Sequence, residues 1–282
     1  MKLATYSHGG KQSYGVVVDG GIVDLGKKLG SKYPDLKSLI AGNGFADAKA
    51  AGTTADVKTA DVTWLPTIPN PEKILCVGLN YKAHIEETGR KDEEQPVIFG
   101  RFASSQCGHL QPLVCPIESD RFDYEGELVA IIGKGGRRIP AKYALQHIAG
   151  YSIYNEGSVR DWQRHTHQYT PGKNFQNTGA FGPWMVTSDE IPDPYKLHIT
   201  TRLNGNVMQD SGTNMMIFDI GAVIEYVSAF AELVPGDVIV TGTPGGVGNA
   251  RKPPIYMQDG DTAEVEIKGI GTLVNKVVKE KK

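Results

Sequence analysis

Cysteine is scarce in this chain, with 3 residues among 282. Cys76, Cys107 and Cys115 show no spacing typical of a metal site, and an odd number argues against a disulfide framework. No stretch approaches the ~20 apolar residues of a membrane-spanning helix, and the first residues lack the apolar segment of a signal peptide. We therefore expect a cytoplasmic protein in a reducing compartment, with no membrane partner.

An excess of either charge is also missing. The chain has 30 Lys and Arg against 32 Asp and Glu, which gives a formal net charge of −2. Nucleic-acid-binding proteins usually show a basic balance or a basic face, so no nucleic-acid partner is expected. Hydrophobic residues make up 40% and charged residues 22% of the chain, as in an ordinary globular protein with a core.

Glycine, by contrast, is abundant, with 34 residues, or about 12% against a typical ~7%. Many glycines indicate many tight turns, so the sequence predicts an α+β, β-rich fold. Apolar and alternating runs predict strands at residues 3–6, 13–18, 22–25, 73–77, 128–132, 237–241, 263–267 and 272–278. Residues 36–41, which end at Gly42, predict a short helix, and the helical spacing of apolar residues predicts a longer one at residues 219–230.

Three prolines in the segment LPTIPNP divide the chain into two parts. A helix cannot cross this segment, which makes it the best candidate for a linker. The sequence therefore predicts a small N-terminal α+β domain at residues 1–65, a proline-rich linker at residues 66–72 and a larger, strand-dominated domain at residues 73–282. At ~150 residues per domain, 282 residues fit two domains or one large one.

The segment DYEGELVAIIG carries two carboxylates, Glu125 and Glu127, two residues apart. In a strand this spacing puts both side chains on one face. A solvent-facing edge is the simple interpretation, but the apolar run that follows indicates a central strand. Two buried carboxylates repel each other and lose hydration, and a divalent cation relieves both effects. Oxygen ligands favour magnesium, calcium or manganese.

A second polar segment, YNEGSVRDWQRHTHQYTPGKNF, supplies further candidates. Glu156 would complete a tri-carboxylate site with open positions for water and substrate. Arg160, Gln163 and Lys173 could bind carboxylate or carbonyl oxygens of a substrate. The alternative is a polar loop in which Arg160 and Asp161 pair at the surface.

Two weaker signals accompany these segments. His165 and His167 suggest zinc, but the chain offers no thiolate partners and an H-x-H spacing is common by chance. The segment VTGTPGGVG resembles a phosphate-binding loop only loosely, because the lysine that follows the glycines in such loops is missing. Its backbone N–H groups and the Thr243 hydroxyl could still bind an anion.

In GLNYKAHIEETG, His84 and Glu87 would be neighbours on one helical turn. A carboxylate that accepts a hydrogen bond from histidine fixes the tautomer of the imidazole and raises the basicity of the ring, which suits the activation of water. The alternative is an ordinary contact on a helix surface.

Taken together, these segments resemble the fumarylacetoacetate hydrolase family. The resemblance covers residues 73–278 and rests on KILCVGLNYKAHIEE, PVIFGR, DYEGELVAIIGK, GYSIYNEGSVRDWQ, GKNFQNTGAFGPW, LNGNVMQD and VIVTGTPGGVG, in the order of the family. It implies a mixed β-sandwich roll, usually a homodimer, and a magnesium or related ion held by the E-x-E glutamates Glu125 and Glu127.

The resemblance also assigns the remaining site residues. It implies Glu156 as the third metal ligand, where the family usually has Asp, and His84 and Glu87 as the dyad of a lid. The charged residues and Gly89 of segment 80–92 predict that this lid is mobile. The substrate-contacting positions of the family map to Lys173, Arg101, Arg160, Gln163 and Thr243. A second departure is Gln176, which stands where Asp is common and could have oriented Lys173.

The function that follows is the divalent-metal-dependent hydrolysis of a carbon–carbon bond in an acylpyruvate or 2,4-diketo acid. His84, oriented by Glu87, would deprotonate water, and Lys173 with the ion would stabilise the departing pyruvate-type enolate. One alternative is a decarboxylase, isomerase or hydratase of 2-oxo acids on the same scaffold. The other is a non-catalytic ligand-binding protein in which Glu156 has impaired the metal site.

Overall fold

The computed structural model describes residues 1–89 and 93–281, and β-strands predominate in them. The strands are β1 (Lys2–His8), β2 (Lys11–Val18), β3 (Gly21–Asp24), β4 (Val57–Lys58), β5 (Thr63–Trp64), β6 (Ile74–Gly78), β7 (Val97–Arg101), β8 (Gln106–Cys107), β9 (Leu113–Cys115), β10 (Phe122–Asp123), β11 (Gly126–Ile132), β12 (Ile148–Glu156), β13 (Ser158–Val159), β14 (Gly179–Thr187), β15 (His198–Leu203), β16 (Asn206–Gly212), β17 (Val238–Val240), β18 (Thr262–Ile267) and β19 (Gly271–Lys279).

The α-helices are short, apart from the last. They are α1 (Leu25–Leu29), α2 (Leu36–Ala41), α3 (Phe45–Ala50), α4 (Lys82–Thr88), α5 (Arg160–Gln163), α6 (Thr170–Lys173) and α7 (Ile220–Phe230). Arg90, Lys91 and Asp92, which belong to the predicted lid segment, lie outside the described residues. No helix in the described ranges is long and apolar enough to cross a membrane.

One large mixed sheet organises the molecule. Its strands run in the order β4-β3-β2-β1-β14-β12-β11-β17-β6-β7, with β5 paired to β1 and β8 paired to β14. Strand β11 has a partner on each side, β12 and β17, and all seven of its residues are buried. The E-x-E segment therefore opens a central strand, and the interpretation as a solvent-facing edge is wrong.

A second sheet, in the order β16-β15-β18-β19-β9, packs against the large one. The core between them is apolar and draws on both sheets, as shown by the buried Leu128, Ile153, Val265 and Leu273. Helix α7 adds its own apolar face to this core. This arrangement of two packed sheets with few helices confirms the predicted β-rich α+β fold.

The N-terminal region is continuous with the large sheet. Strand β1 pairs with β14, where Lys2 lies opposite Val186. Within the proline-rich segment, Thr67 and Ile68 are fully buried, and the Thr67 carbonyl accepts a hydrogen bond from Thr5 Oγ1. Residues 1–65 and 73–282 thus share one sheet, and their division into two domains stays a prediction.

His109 links the N-terminal region to the second sheet and makes folding sensitive to acid. Its ring packs edge-on against Trp64, and its Nδ1 accepts a hydrogen bond from the Val274 backbone N–H. Burial lowers the pKa of His109 from 6.5 to about 4. As the pH falls below 6.5, His109 becomes protonated in the unfolded chain but stays neutral in the folded protein until the pH nears 4. The free energy of unfolding should therefore decrease as the pH drops from 6.5 towards 4.

We expect this effect to reach about 2–3 kcal/mol at most in the free energy of unfolding. Denaturant unfolding at pH 7 and pH 4.5 measures it, with His109→Gln as the comparison because Gln keeps an acceptor for Val274 but does not titrate. An identical pH dependence in the two proteins would show that His109 contributes nothing to acid sensitivity.

Candidate metal centre

The three predicted metal ligands meet at one end of the central strands. Glu127 lies in β11, Glu125 directly precedes that strand, and Glu156 ends the antiparallel neighbour β12. The register, in which Gly126 pairs with Asn155, brings the start of one strand beside the end of the other. One oxygen from each carboxylate lies within 4.8 Å of the others, and all three side chains are buried.

Two cations, Lys173 and Arg160, form ion pairs with these carboxylates. Lys173 Nζ, at the end of α6, lies 2.7 Å from Glu125 Oε2 and 2.5 Å from Glu156 Oε2. Arg160, at the start of α5, places Nη2 2.7 Å from both Glu125 Oε1 and Asp123 Oδ2. Burial alone would raise the pKa of Glu125, but Lys173 and Arg160 outweigh it and lower that pKa far below its usual range.

Arg101 does not enter this cavity, which corrects its predicted contact with substrate. Its guanidinium is fully buried behind Glu156, and Nη1 donates to Glu156 Oε1 at 3.0 Å. Its other donors bind the Gly157 carbonyl and the Thr178 hydroxyl. Because these protein groups occupy the guanidinium, Arg101 orients the third glutamate and is not available to a ligand in the cavity.

Glu127 is the one of the three glutamates that forms no direct ion pair with a described residue. Its Oε2 accepts a hydrogen bond of 2.5 Å from the Gly242 backbone N–H. Burial, together with the charges of Glu156 and Glu125, raises the pKa of Glu127 well above its usual range. A cation close to Glu127 would remove this penalty.

The charges around the three glutamates leave room for a divalent ion. With Asp123 they make four buried carboxylates, against three buried cations from Arg101, Arg160 and Lys173. With all four carboxylates ionised the group carries one negative charge in excess, and a divalent ion would leave one positive charge to attract an anionic substrate. An all-oxygen donor set fits magnesium, manganese or calcium.

The zinc interpretation of His165 and His167 has no structural support. Both side chains are exposed, and His165 stacks on Trp162 with ring centroids 4.7 Å apart. Across residues 1–89 and 93–281, the glutamate triad is the one group of three close metal-ligand side chains.

The predicted dyad faces the triad from helix α4. His84 lies on that helix one turn before Glu87, and its Nδ1 is 2.8 Å from Glu87 Oε1. The other oxygen of Glu87 accepts a hydrogen bond of 2.7 Å from the Gly246 backbone N–H. His84 and the three glutamates line one cavity, which we call the glutamate cavity. With Nδ1 bound to a carboxylate, Nε2 is the ring nitrogen left for proton transfer.

The glycine-rich loop after β17 binds carboxylates of the protein itself rather than a phosphate. Three of its N–H groups donate to acidic side chains, of which two are buried and that of Glu87 is half-buried: Gly242 to Glu127, Gly246 to Glu87 and Gly248 to Asp123. Gly242 and Gly246 have φ values of +101° and +106°, which other residues rarely adopt. The loop therefore fixes the metal ligand and the dyad together.

Gln163 and Thr243 also line the glutamate cavity. Gln163 Oε1 accepts a hydrogen bond of 3.0 Å from Arg160 Nη1. The Thr243 hydroxyl donates to the Gly126 carbonyl at 3.1 Å and accepts from Gln209 Nε2 at 2.7 Å. Gln176 is exposed, and Lys173 is oriented by glutamates instead.

The sequence did not single out two residues that support the site. Asp123 holds Arg160, and it continues the two-residue spacing of Glu125 and Glu127, which was a usable signal. Asn80 anchors the base of the dyad helix, since its amide donates to the Phe218 and Thr241 carbonyls. Nothing in the local sequence indicates those distant partners.

Comparison with known proteins identifies the family of this chain. The family model for the fumarylacetoacetate (FAA) hydrolase C-terminal region matches residues 73–278. The chain belongs to the fumarylacetoacetate hydrolase family. A Bos taurus relative described as the mitochondrial oxaloacetate tautomerase FAHD2A is 43% identical over 221 residues, which cover 78% of this chain and 70% of the relative.

Solved structures of the family also align with this chain over its full length. The 5-carboxymethyl-2-hydroxymuconate delta-isomerase of Mycobacterium smegmatis shares 34% identity and a TM-score of 0.78, with 100% of both chains covered. The maleylpyruvate hydrolase of Sphingobium sp. SYK-6, solved with manganese(II) ion and pyruvate, shares 28% identity and a TM-score of 0.81 at the same coverage. The chain is therefore a metal-dependent enzyme of a family that includes tautomerases, isomerases and hydrolases.

The variant Glu156→Asp directly tests the position at which this chain has Glu and the family usually has Asp. We expect Glu156→Asp to keep a functional ion site but to change its affinity or metal preference. The shorter side chain cannot hold both Arg101 and Lys173 at their present distances of 3.0 and 2.5 Å. Calorimetric titration with magnesium and manganese measures the change, and a variant that binds neither ion would show that this backbone requires Glu.

Proposed function

We propose that this enzyme catalyses the keto–enol tautomerisation of a 2-oxo dicarboxylic acid of the oxaloacetate type, with Mg²⁺ as the preferred ion. The observation that carries the proposal is the His84–Glu87 dyad, which faces the three glutamates across one cavity. The name of the bovine relative, an oxaloacetate tautomerase, supports the choice of reaction and substrate.

The reaction moves one proton between oxygen and carbon. A divalent ion held by Glu125, Glu127 and Glu156 would polarise the substrate oxygens and stabilise the negative charge of the enolate. His84 Nε2 takes the proton from the enol hydroxyl, and the protonated imidazole then returns that proton to the neighbouring carbon of the enol double bond, which gives the 2-oxo acid. Glu87 keeps Nδ1 protonated and stabilises the positive charge that the imidazole acquires.

The remaining residues bind and orient the substrate. Lys173 uses two of its three N–H donors on Glu125 and Glu156, which leaves one for a substrate oxygen. Gln163 and Thr243 offer polar groups on the same wall. Arg160 acts through Glu125 and Asp123, which it holds in place.

Hydrolysis of an acylpyruvate or 2,4-diketo acid is the second candidate. It uses the same ligands and dyad, with His84 deprotonating a water that attacks the distal carbonyl, and the hydrolase named among the solved relatives supports it. Isomerase, hydratase and decarboxylase reactions share the enolate. The degenerate, non-catalytic alternative is disfavoured because Glu156 completes the triad and every cation of the site is in place.

Two assays on the purified protein separate the candidates. With oxaloacetate freshly dissolved in its enol form, we expect a loss of enol absorbance that requires added magnesium and stops with a chelator. With acylpyruvates, we expect little pyruvate in a coupled assay. If acylpyruvates released pyruvate rapidly and stoichiometrically, while the oxaloacetate enol decayed no faster than without enzyme, the activity would be hydrolysis and not tautomerisation. A homodimeric state and a cytoplasmic location stay predictions, and the bovine relative is described as mitochondrial.

A further inference from the structure

Among residues 1–89 and 93–281, four basic side chains line the glutamate cavity, and three of them are committed to carboxylates. Arg160 binds Asp123 and Glu125, Lys173 binds Glu125 and Glu156, and His84 binds Glu87. The fourth, Arg164, is exposed and forms no side-chain hydrogen bond or ion pair in the part of the chain that the structure describes. Of the four described cations, Arg164 is the one that remains available to a ligand.

Arg164 also lines a second pocket, which shares part of its lining with the first. We call it the mouth pocket, and its walls are Gln163, Arg164, Thr166, His167 and Tyr169. Gln163, Arg164 and Tyr169 belong to both walls. Apart from the glutamates of the inner cavity, no acidic side chain lines either pocket in the described ranges, so the mouth pocket is a polar site with a positive charge.

The segment that carries Arg164 is fixed to the catalytic elements. Arg164 directly follows α5, which holds Arg160 and Gln163, and its backbone N–H donates to the Asp161 carbonyl. Helix α6, which ends at Lys173, packs closely on α5: a Cβ on Gly172 would come within 2.3 Å of the Gln163 backbone nitrogen. The distance from Arg164 to the inner site is therefore set by packed secondary structure.

We propose that Arg164, with His167 beside it, forms an anion subsite that binds the distal carboxylate of a dicarboxylic 2-oxo acid. The inner site takes the 2-oxo acid end of the substrate, and the second carboxylate reaches the mouth pocket. A guanidinium matches a carboxylate with two parallel N–H donors, so it also fixes the direction in which the substrate lies. This inference rests on the proposed function, since it names the residue that selects the proposed class of substrate.

The test uses ligand binding, which does not depend on turnover. Two ligands of equal chain length, 2-oxopentanedioate and 2-oxopentanoate, differ only in the distal carboxylate. Calorimetry on the magnesium-loaded protein should show tighter binding of the dicarboxylate. Arg164→Gln should weaken its binding by about 10- to 100-fold, as for loss of a charge-assisted contact, and leave the monocarboxylate within about twofold.

A matched control separates a specific contact from net charge. Arg121 is another exposed arginine, and it lines neither pocket. Arg121→Gln should leave both affinities unchanged, whereas Arg164→Lys should recover part of the dicarboxylate preference because it keeps the charge without the paired donors.

Three results would overturn the subsite. The wild-type protein could bind both ligands with equal affinity, Arg164→Gln could weaken the binding of both ligands equally, or Arg121→Gln could weaken dicarboxylate binding as much as Arg164→Gln does. Failure of the proposed function looks different: the Arg164-dependent preference would persist in binding while the oxaloacetate enol decays no faster than without enzyme.

Discussion

Replacing Glu127 with Gln should abolish metal-dependent turnover while the protein remains folded. Glu127 is the one of the three glutamates that forms no direct ion pair with a described residue, so we expect the ion to depend on its charge more than on that of the other two. Changes to residues that only support metal ligands cost about 10- to 100-fold in affinity, and loss of a ligand should cost at least as much. Titration calorimetry with magnesium and an enol-decay assay measure the two effects.

The same substitution should raise the stability of the metal-free protein at neutral pH. The pKa of Glu127 is raised well above its usual range by burial and by two neighbouring carboxylates, so its ionisation opposes folding above the pKa of the unfolded chain. Gln removes that charge and keeps the shape. Glu118→Gln, at an exposed position, controls for the loss of one charge.

Weaker ion binding combined with higher metal-free stability would distinguish a metal ligand from a structural glutamate. If Glu127→Gln turned over substrate at the wild-type rate after chelator treatment and magnesium addition, the tri-glutamate site would be wrong. Lower stability without any change in ion affinity would point to a structural role instead.

Replacing His84 with Ala should cost mainly turnover. Loss of a general base typically lowers kcat by about 10²- to 10⁴-fold, and KM should change little because the inner ligands and Lys173 remain. Glu87→Gln should cost less, since it keeps the imidazole and removes only its orienting charge. Steady-state kinetics on the oxaloacetate enol measures both variants, with His8→Ala at an exposed position of β1 as the control.

The His84 variant also separates the reactions that this scaffold could support. Decarboxylation of a β-keto diacid needs an electron sink but no activated water or proton-transfer base. If His84→Ala lost tautomerisation yet released carbon dioxide at the wild-type rate, the native activity would be decarboxylation. Full tautomerase activity in His84→Ala would exclude the dyad from the reaction.

Much of the fold could be predicted because hydrophobic periodicity and caps are local signals. The apolar spacing of residues 219–230 predicts α7, and Asp219 caps that helix by accepting from the Ala222 N–H at 2.7 Å. Helix α2 begins and ends where the sequence predicts it, between Asp35 and Gly42. The short helices α5 and α6 lack such a signal, because four residues do not span enough turns to show a period.

The charged residues of the candidate site could be predicted from the sequence, but their contacts with one another could not. Glu125, Glu127, Glu156 and Lys173 carry chemistry that a core tolerates only when it is compensated, so their types alone indicated a site. The contacts of Arg101 depend on the chain path, which brings it behind Glu156 at a sequence separation of 55 residues. No local pattern could distinguish that position from the cavity wall.

The loop that follows β17 holds the dyad through a main-chain amide, and this affects how the enzyme can change over evolutionary time. Every residue except proline offers an N–H group, so the hydrogen bond to Glu87 does not depend on the identity of any side chain. The conformation of the loop, however, does depend on the residue at position 246, since a Cβ there would come within 2.2 Å of the Met208 carbonyl oxygen. Substitutions at neighbouring positions can therefore leave this hydrogen bond intact, whereas a side chain at position 246 would displace the loop and with it the dyad.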